Sequence, residues 1–239
     1  MEDCKIEERD GRVIGILGGM GPEATIDFYR HIIDLTPACR DQDHLKVIIY
    51  SNPKIPDRTE AIVAQGENPL PYLIESAKYL EKWGAGIIAI PCNTAHHYLF
   101  KIQQQTAVPI LNMIEETRTE LRTLMPEVHT VGLLAVEGTL QSGVYHRVMA
   151  ESGVEILVSD TDEQRKIQSA IAQVKAGMTD SATQEIFETA ARRLVEAGAQ
   201  AIILGCTEVP LAFDPARIKS PCLNPTRILA KAAVNWALG

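Results

Sequence analysis

Two short segments, PCNTAHH and GCTEVPL, each place a cysteine, Cys92 or Cys206, directly after an apolar run. Small amide or hydroxyl residues follow: Asn93 and Thr94 in the first, Thr207 in the second. A single cysteine in such a place reads as an inert core thiol, because free cysteine packs as a small apolar residue. Two in matching contexts point to chemistry. A thiol ionises at about pH 8.5, within reach of neutrality when local charge assists, so a thiolate and a thiol could act as base and acid on opposite faces of a planar carbanion. The other cysteines, Cys4, Cys39 and Cys222, are widely spaced, and no C-x-x-C pair occurs. Five cysteines, an odd number, predict free thiols in a reducing compartment. His96 and His97 follow Cys92, but adjacent histidines diverge on a helix and Cys206 has none close by, so no metal is expected.

The elements that must position these thiols follow from the alternation of short apolar runs with longer amphipathic stretches. Buried strands are predicted at Val13 to Leu17, Val47 to Tyr50, Ile87 to Ile90, Thr130 to Ala135, Glu155 to Val158 and Ala201 to Leu204. Helices are predicted at Pro22 to Leu35, Pro69 to Trp83, Ile114 to Leu124, Leu140 to Glu151, Glu163 to Ala176, Ser181 to Ala197 and Pro225 to Leu238. Pro22 suits a first helical turn, and Ser181 with Glu185 is an imperfect cap. The pattern is that of an α/β protein with a mostly parallel sheet.

The pattern also repeats. RVIGILGGMG has a partner in HTVGLLAVEG, and WGAGIIAIPCNTA has one in AGAQAIILGCTEV. Gly84 and Gly198 each lie eight residues before their cysteine, and the spans Gly15 to Cys92 and Gly132 to Cys206 are 77 and 74 residues. Two related lobes are expected, residues 1–112 with 222–239 forming one, closed by the C-terminal helix, and 113–221 forming the other. Each thiol then sits just past the C-terminal end of a strand, where open α/β sheets bind ligands.

The glycine-dense turn Gly18-Gly19-Met20-Gly21 fits neither G-x-G-x-x-G nor a P-loop, and no Lys-Ser or Lys-Thr follows it. A nucleotide loop is therefore not expected. Glycines also permit a tight strand-to-helix turn, or close approach of backbone N–H groups to a small carboxylate.

Taken in order, GILGGMGPEAT, PDRT, PCNTAH and GCTE resemble the aspartate/glutamate racemase family of pyridoxal-independent amino-acid racemases, closest to its aspartate racemase branch. The resemblance runs from Val13 to Leu238. It implies two pseudo-symmetric α/β lobes with the active site in the cleft between them, an amino-acid substrate, no cofactor and a homodimer. Cys92 and Cys206 would approach Cα from opposite faces and exchange the roles of acid and base. Arg58 matches the arginine that this branch places near the substrate's side-chain carboxylate, which a guanidinium can grip bidentately. Lys175, 31 residues before Cys206, stands roughly where the family has a second-lobe lysine, with Lys166 as a competitor. Met20 would line the pocket wall. Asn93, Thr94 and Thr207 would bind the α-carboxylate or hold the ammonium. Related glutamate racemases carry an acidic residue in the glycine segment and histidine in GCTH. Here those places hold glycines with Met20, and Glu208, which favours the aspartate branch. Glu208 is grouped with the substrate-binding residues, orienting local backbone or facing solvent.

Composition narrows the partners. A formal charge of -8 without a basic cluster excludes a nucleic-acid surface. No apolar run reaches the roughly 18 residues of a membrane helix, and MEDCKIEERDGR is charged where a secretory signal is apolar, so a cytoplasmic protein is expected. Aspartate is the expected substrate and glutamate the main alternative. Other readings are a cysteine-dependent hydantoin racemase, maleate isomerase or malonate-type decarboxylase, and a non-catalytic small-molecule binder or thiol sensor. PDRT argues against the other enzymes, because Arg58 anticipates a second carboxylate.

Overall fold

The computed structural model describes residues 12–239, so Cys4 and the charged N-terminal segment lie outside the described residues. The predicted strands assemble into two sheets. The first contains β1 (Ile14–Gly18), β2 (Val47–Ser51) and β3 (Ile87–Ala89) in the order β2-β1-β3. The second contains β4 (Thr130–Leu134), β5 (Glu155–Leu157), β6 (Ala201–Leu204) and β7 (Cys222–Leu223) in the order β5-β4-β6-β7. Every pairing is parallel. A single parallel bridge from Ile88 to Ile110 gives the first sheet a counterpart of β7. The apolar runs of β1, β3 and β6 are buried throughout, as expected of strands covered on both faces.

The covering helices are α1 (Pro22–Leu35), α2 (Arg58–Val63), α3 (Leu70–Lys82), α4 (Leu99–Gln103) and α5 (Met113–Leu124) in the first half. The second half has α6 (Glu137–Ser142), α7 (Val144–Ala150), α8 (Thr161–Lys175), α9 (Ser181–Glu196), α10 (Val209–Ala212) and α11 (Pro225–Leu238). None is long and apolar enough to cross a membrane, among the described residues. The predicted helix from Leu140 to Glu151 is instead two, α6 beginning earlier and turning into α7 at Gly143. The α9 cap is Asp180, not Ser181: its carboxylate accepts from the Thr183 amide at 2.9 Å.

The sequence repeat corresponds to repeated geometry. The turns from α3 to β3 and from α9 to β6 both pass through a left-handed glycine, Gly84 at φ +89° and Gly198 at φ +108°. In both, the next amide bonds back to the last helical turn, Ala85 to the Leu80 carbonyl at 3.0 Å and Ala199 to the Leu194 carbonyl at 2.9 Å.

A second pair of equivalent positions is Asn112 and Asn224, whose side chains cap α5 and α11 by accepting from two amides each. These two helices are exchanged between the sheets. Ile114 and Leu121 of α5, which follows the first sheet, pack with Val131 and Leu133 of β4. Leu229, Ala230 and Ala233 of α11, which follows the second, pack with Ile14 and Ile16 of β1. The exchange ties the lobes together. In the expected division, residues 222–239 belonged with the first lobe. Helix α11 packs there, but Cys222 and Leu223 pair with β6 of the second sheet.

Candidate active site

Cys92 and Cys206 lie just beyond the C-terminal ends of β3 and β6, both buried. Both line one narrow cavity between the lobes, with about 10 Å³ of open space. Arg58, Asn93, Thr94, Thr207, Glu208, Lys175 and Met20 line it too, so the residues expected to act on or bind the substrate share one chamber, joined by Asp57, Thr59, Val136 and Gly205. Lys166 is an exposed residue of α8 and is not part of the lining. A larger, more open cavity of about 500 Å³ adjoins the chamber, and Met20, Asp57, Arg58, Lys175 and Glu208 line both.

On the first-lobe side, the glycine turn brings the chain after β2 close. Gly19 has φ +94°, and a Cβ there would lie within 2.6 Å of Asn52 backbone atoms, so only glycine fits. The Gly19 amide donates to Thr25 Oγ1 at 2.9 Å and is thus spent inside the turn. Gly19 and Gly21 line the outer cavity, and Met20 reaches the inner one. The close approach also sets the loop that delivers Arg58 at the start of α2, where Asp57 caps by accepting from the Glu60 amide at 2.9 Å.

Arg58 is buried, with 8% of its surface exposed, which is rare for an arginine without a carboxylate partner. Its guanidinium donates to the carbonyls of Ile55, Pro56 and Met20 at 3.4, 3.1 and 3.5 Å. Its Nε and the Asn93 Nδ2 are buried donors with no partner among the described residues. Leaving such a donor unmatched costs about 1–3 kcal/mol, so both donors favour an acceptor placed beside them.

The second-lobe side is charged around the thiol. Cys206 Sγ donates to Glu208 Oε2 at 2.9 Å, and Thr207 Oγ1 donates to the same oxygen at 3.2 Å. Burial, and then the Glu208 charge, push the Cys206 thiol well up, while Lys175 pulls it down. Lys175 is an exposed residue of α8 that nevertheless lines the chamber. Burial lowers its pKa, yet attraction to Cys206, Glu208 and Asp57 outweighs that and the opposing Arg58, so the net direction is up.

Residues 17–233 match the family described as Asp/Glu/Hydantoin racemase. The chain belongs to this family. The broad specificity amino-acid racemase RacX of Bacillus subtilis (strain 168) is 34% identical over 230 residues, covering 95% of this chain and 98% of that protein. The structure of Picrophilus torridus aspartate racemase matches with a TM-score of 0.85 and 32% identity, covering 95% of this chain and 94% of the other. A glutamate racemase from Francisella tularensis subsp. tularensis SCHU S4, solved with D-glutamate, shares the fold at a TM-score of 0.73 and 18% identity, over 95% and 81% of the two chains.

Several parts of this racemase escape sequence reasoning. His96 lies in a short 3-10 helix, where its Nε2 accepts from the Met113 amide at 3.0 Å and its Nδ1 sits 2.9 Å from the Cys92 carbonyl. An accepting Nε2 leaves the proton on Nδ1, which donates, and burial lowers the ring's pKa toward this neutral form. The ring therefore joins the cysteine loop to the start of α5. No cluster of three or more His, Cys, Asp or Glu side chains suited to a metal occurs among the described residues.

Two hydrogen bonds cross from the second lobe to the Cys92 segment. Tyr145 Oη donates to Asn93 Oδ1 at 2.6 Å, and the hydroxyls of Thr94 and Thr139 are 2.7 Å apart. Tyr145 is fully buried. By engaging the amide oxygen, it turns Asn93 Nδ2 away as the free donor. Nothing in the sequence links residues 93 and 145, which become neighbours only when α7 meets the first lobe.

Proposed function

We propose that the chain racemises an acidic amino acid at Cα without a cofactor, aspartate foremost and glutamate second, with Cys92 and Cys206 as the two acid/base groups. The observation that carries this reading is the joint placement of both thiols with two unmatched buried donors, Arg58 Nε and Asn93 Nδ2, around one chamber. A diacid offers an acceptor to each donor, and Arg58 with Lys175 supplies positive charge for the second carboxylate. Asn93 would bind the α-carboxylate.

In the forward step one thiolate takes the Cα proton, the electron pair passes to the substrate carbanion, and the opposite thiol protonates its other face. The reverse reaction exchanges the roles. The Cα–H bond beside an ionised carboxylate is a very weak acid, so exclusion of water and fixed positive charge must lower the barrier. Thr94 and Thr207 line the same chamber, although the Thr207 proton is committed to Glu208. The need for two reduced thiols supports a cytoplasmic enzyme, and the family resemblance supports a homodimer.

The test is to mix reduced, pyridoxal-free protein with L-aspartate or L-glutamate in D₂O, following Cα–H loss by proton NMR and chirality by chiral chromatography. Loss of Cα–H with formation of the D-isomer is expected, faster for aspartate. Absence of exchange with either amino acid would remove this reading. The similarity to a broad specificity racemase makes lysine and alanine useful further substrates, and Arg58 leads us to expect slower turnover of both.

A further inference from the structure

We propose that Glu208 is a catalytic residue that carries the proton of Cys206 to and from solvent, so that the two thiols exchange protons with water by different routes. The inference rests on the two-cysteine reading above. Glu208 is a carboxylate with 3% of its surface exposed, set between the closed chamber and the open cavity and lining both. Its Oε2 accepts from Cys206 Sγ at 2.9 Å. Its Oε1 lies 3.5 Å from where a Cβ on Gly21 would be, and Gly21 lines only the outer of the two cavities. One oxygen thus meets the reacting sulfur and the other approaches the wall of the water-accessible space. Among the described residues, Cys92 Sγ has no hydrogen-bonded carboxylate.

Such a relay answers a need of two-base racemisation. After one turnover the acceptor thiolate has become a thiol and the donor thiol a thiolate. The enzyme must reverse both before it can act again on the same enantiomer. When Cys206 has taken the Cα proton, its S–H bond breaks, the electron pair stays on sulfur, and the proton passes to Glu208. The resulting carboxylic acid gives that proton to water in the outer cavity. The Cys92 thiolate takes one proton from water. Protons and charge balance, and water is the only co-reactant.

The test follows the hydrogen itself. In ordinary water, the enzyme is given L-[2-²H]aspartate together with saturating D-[¹³C₄]aspartate, and newly formed ¹³C-labelled L-aspartate is analysed for deuterium by mass spectrometry. The mirror experiment exchanges the enantiomers. Deuterium passes between substrate molecules only if it survives on the thiol between turnovers. It rides on Cys206 in one experiment and on Cys92 in the other. Glu208→Gln should raise label transfer by about tenfold in one of the two experiments and leave the other unchanged. Glu208→Asp, which keeps the carboxylate, should give a smaller rise in the same experiment, and it decides the matter should the Gln variant turn over too slowly. Equal changes in both directions, or in neither, would overturn the relay. Retained racemisation in Cys92→Ala or Cys206→Ala would instead overturn the two-cysteine reading on which it rests.

Discussion

Cys92 and Cys206 leave equivalent strands of a repeated unit, yet their surroundings differ. Around Cys92 the contacts are neutral: His96 holds the Cys92 carbonyl, and the next residue, Asn93, is gripped from the other lobe by Tyr145. Around Cys206 they are ionic, with Glu208 on the sulfur and Lys175 beside it. Duplication supplies two thiols facing one chamber, and divergence of the residues just after each thiol gives the two sides different surroundings.

The comparison yields predictions of decreasing size. The largest concerns the feature the lobes share. Cys92→Ala and Cys206→Ala should each lower racemisation by about 10³-fold, and full turnover in either would break the equivalence of the two sides. Next comes the charge that only the first lobe contributes through α2. Arg58→Lys keeps a cation but loses Nε and the planar fork, so kcat/KM for aspartate should fall ~10–100-fold, with alanine turnover little changed.

Tyr145→Phe tests whether the neutral side depends on its cross-lobe grip. The Asn93 amide would lose its orienting donor, and KM for aspartate should rise about tenfold with a smaller change in kcat. Equal loss in kcat alone would assign Tyr145 to something other than ground-state binding.

On the ionic side, the Glu208 carboxylate raises the Cys206 thiol pKa, so its removal lowers it. The pH–rate limb that belongs to Cys206 should therefore move to lower pH in Glu208→Gln, and an unmoved profile would separate that thiol from the carboxylate's field. The smallest effect lies at the fourth strand position, where Ile110 in one half corresponds to Cys222 in the other. Burial pushes the Cys222 thiol up to about 11, whereas an unfolded thiol ionises at about 8.5. The folded chain thus keeps a proton that the unfolded chain releases, and stability falls as pH rises through that window. Cys222→Val, closer to the first half, should remove about 1 kcal/mol of that loss at pH 10, after allowance for the thiol's partial exposure. Urea titrations at pH 8 and pH 10 would measure it.

Much of this was legible because its causes are local. Strands such as Ala201–Leu204 announce themselves as short apolar runs, and α1 and α11 begin at the prolines that favour a first helical turn. The repeat could be read because both thiols must follow the same buried strand and glycine turn. Helix α2 was missed because six residues are too few for a helical period, although Asp57 followed by Glu60 is an N-terminal signal. Strand β7 was missed because its two residues carry no pattern at all.

The sequence by itself determined the alternation of strands and helices, the duplication, and the residue types able to move a proton between two faces of a carbon. These depend on periodicity, turn chemistry and side-chain acidity, which neighbours along the chain express. Only the tertiary structure decided that Tyr145 turns the Asn93 amide, that Lys175 and not Lys166 reaches the chamber, and that Glu208 meets the Cys206 sulfur. Those outcomes depend on which surfaces meet when two lobes pack, and a contact across 52 residues leaves no period in the chain to read.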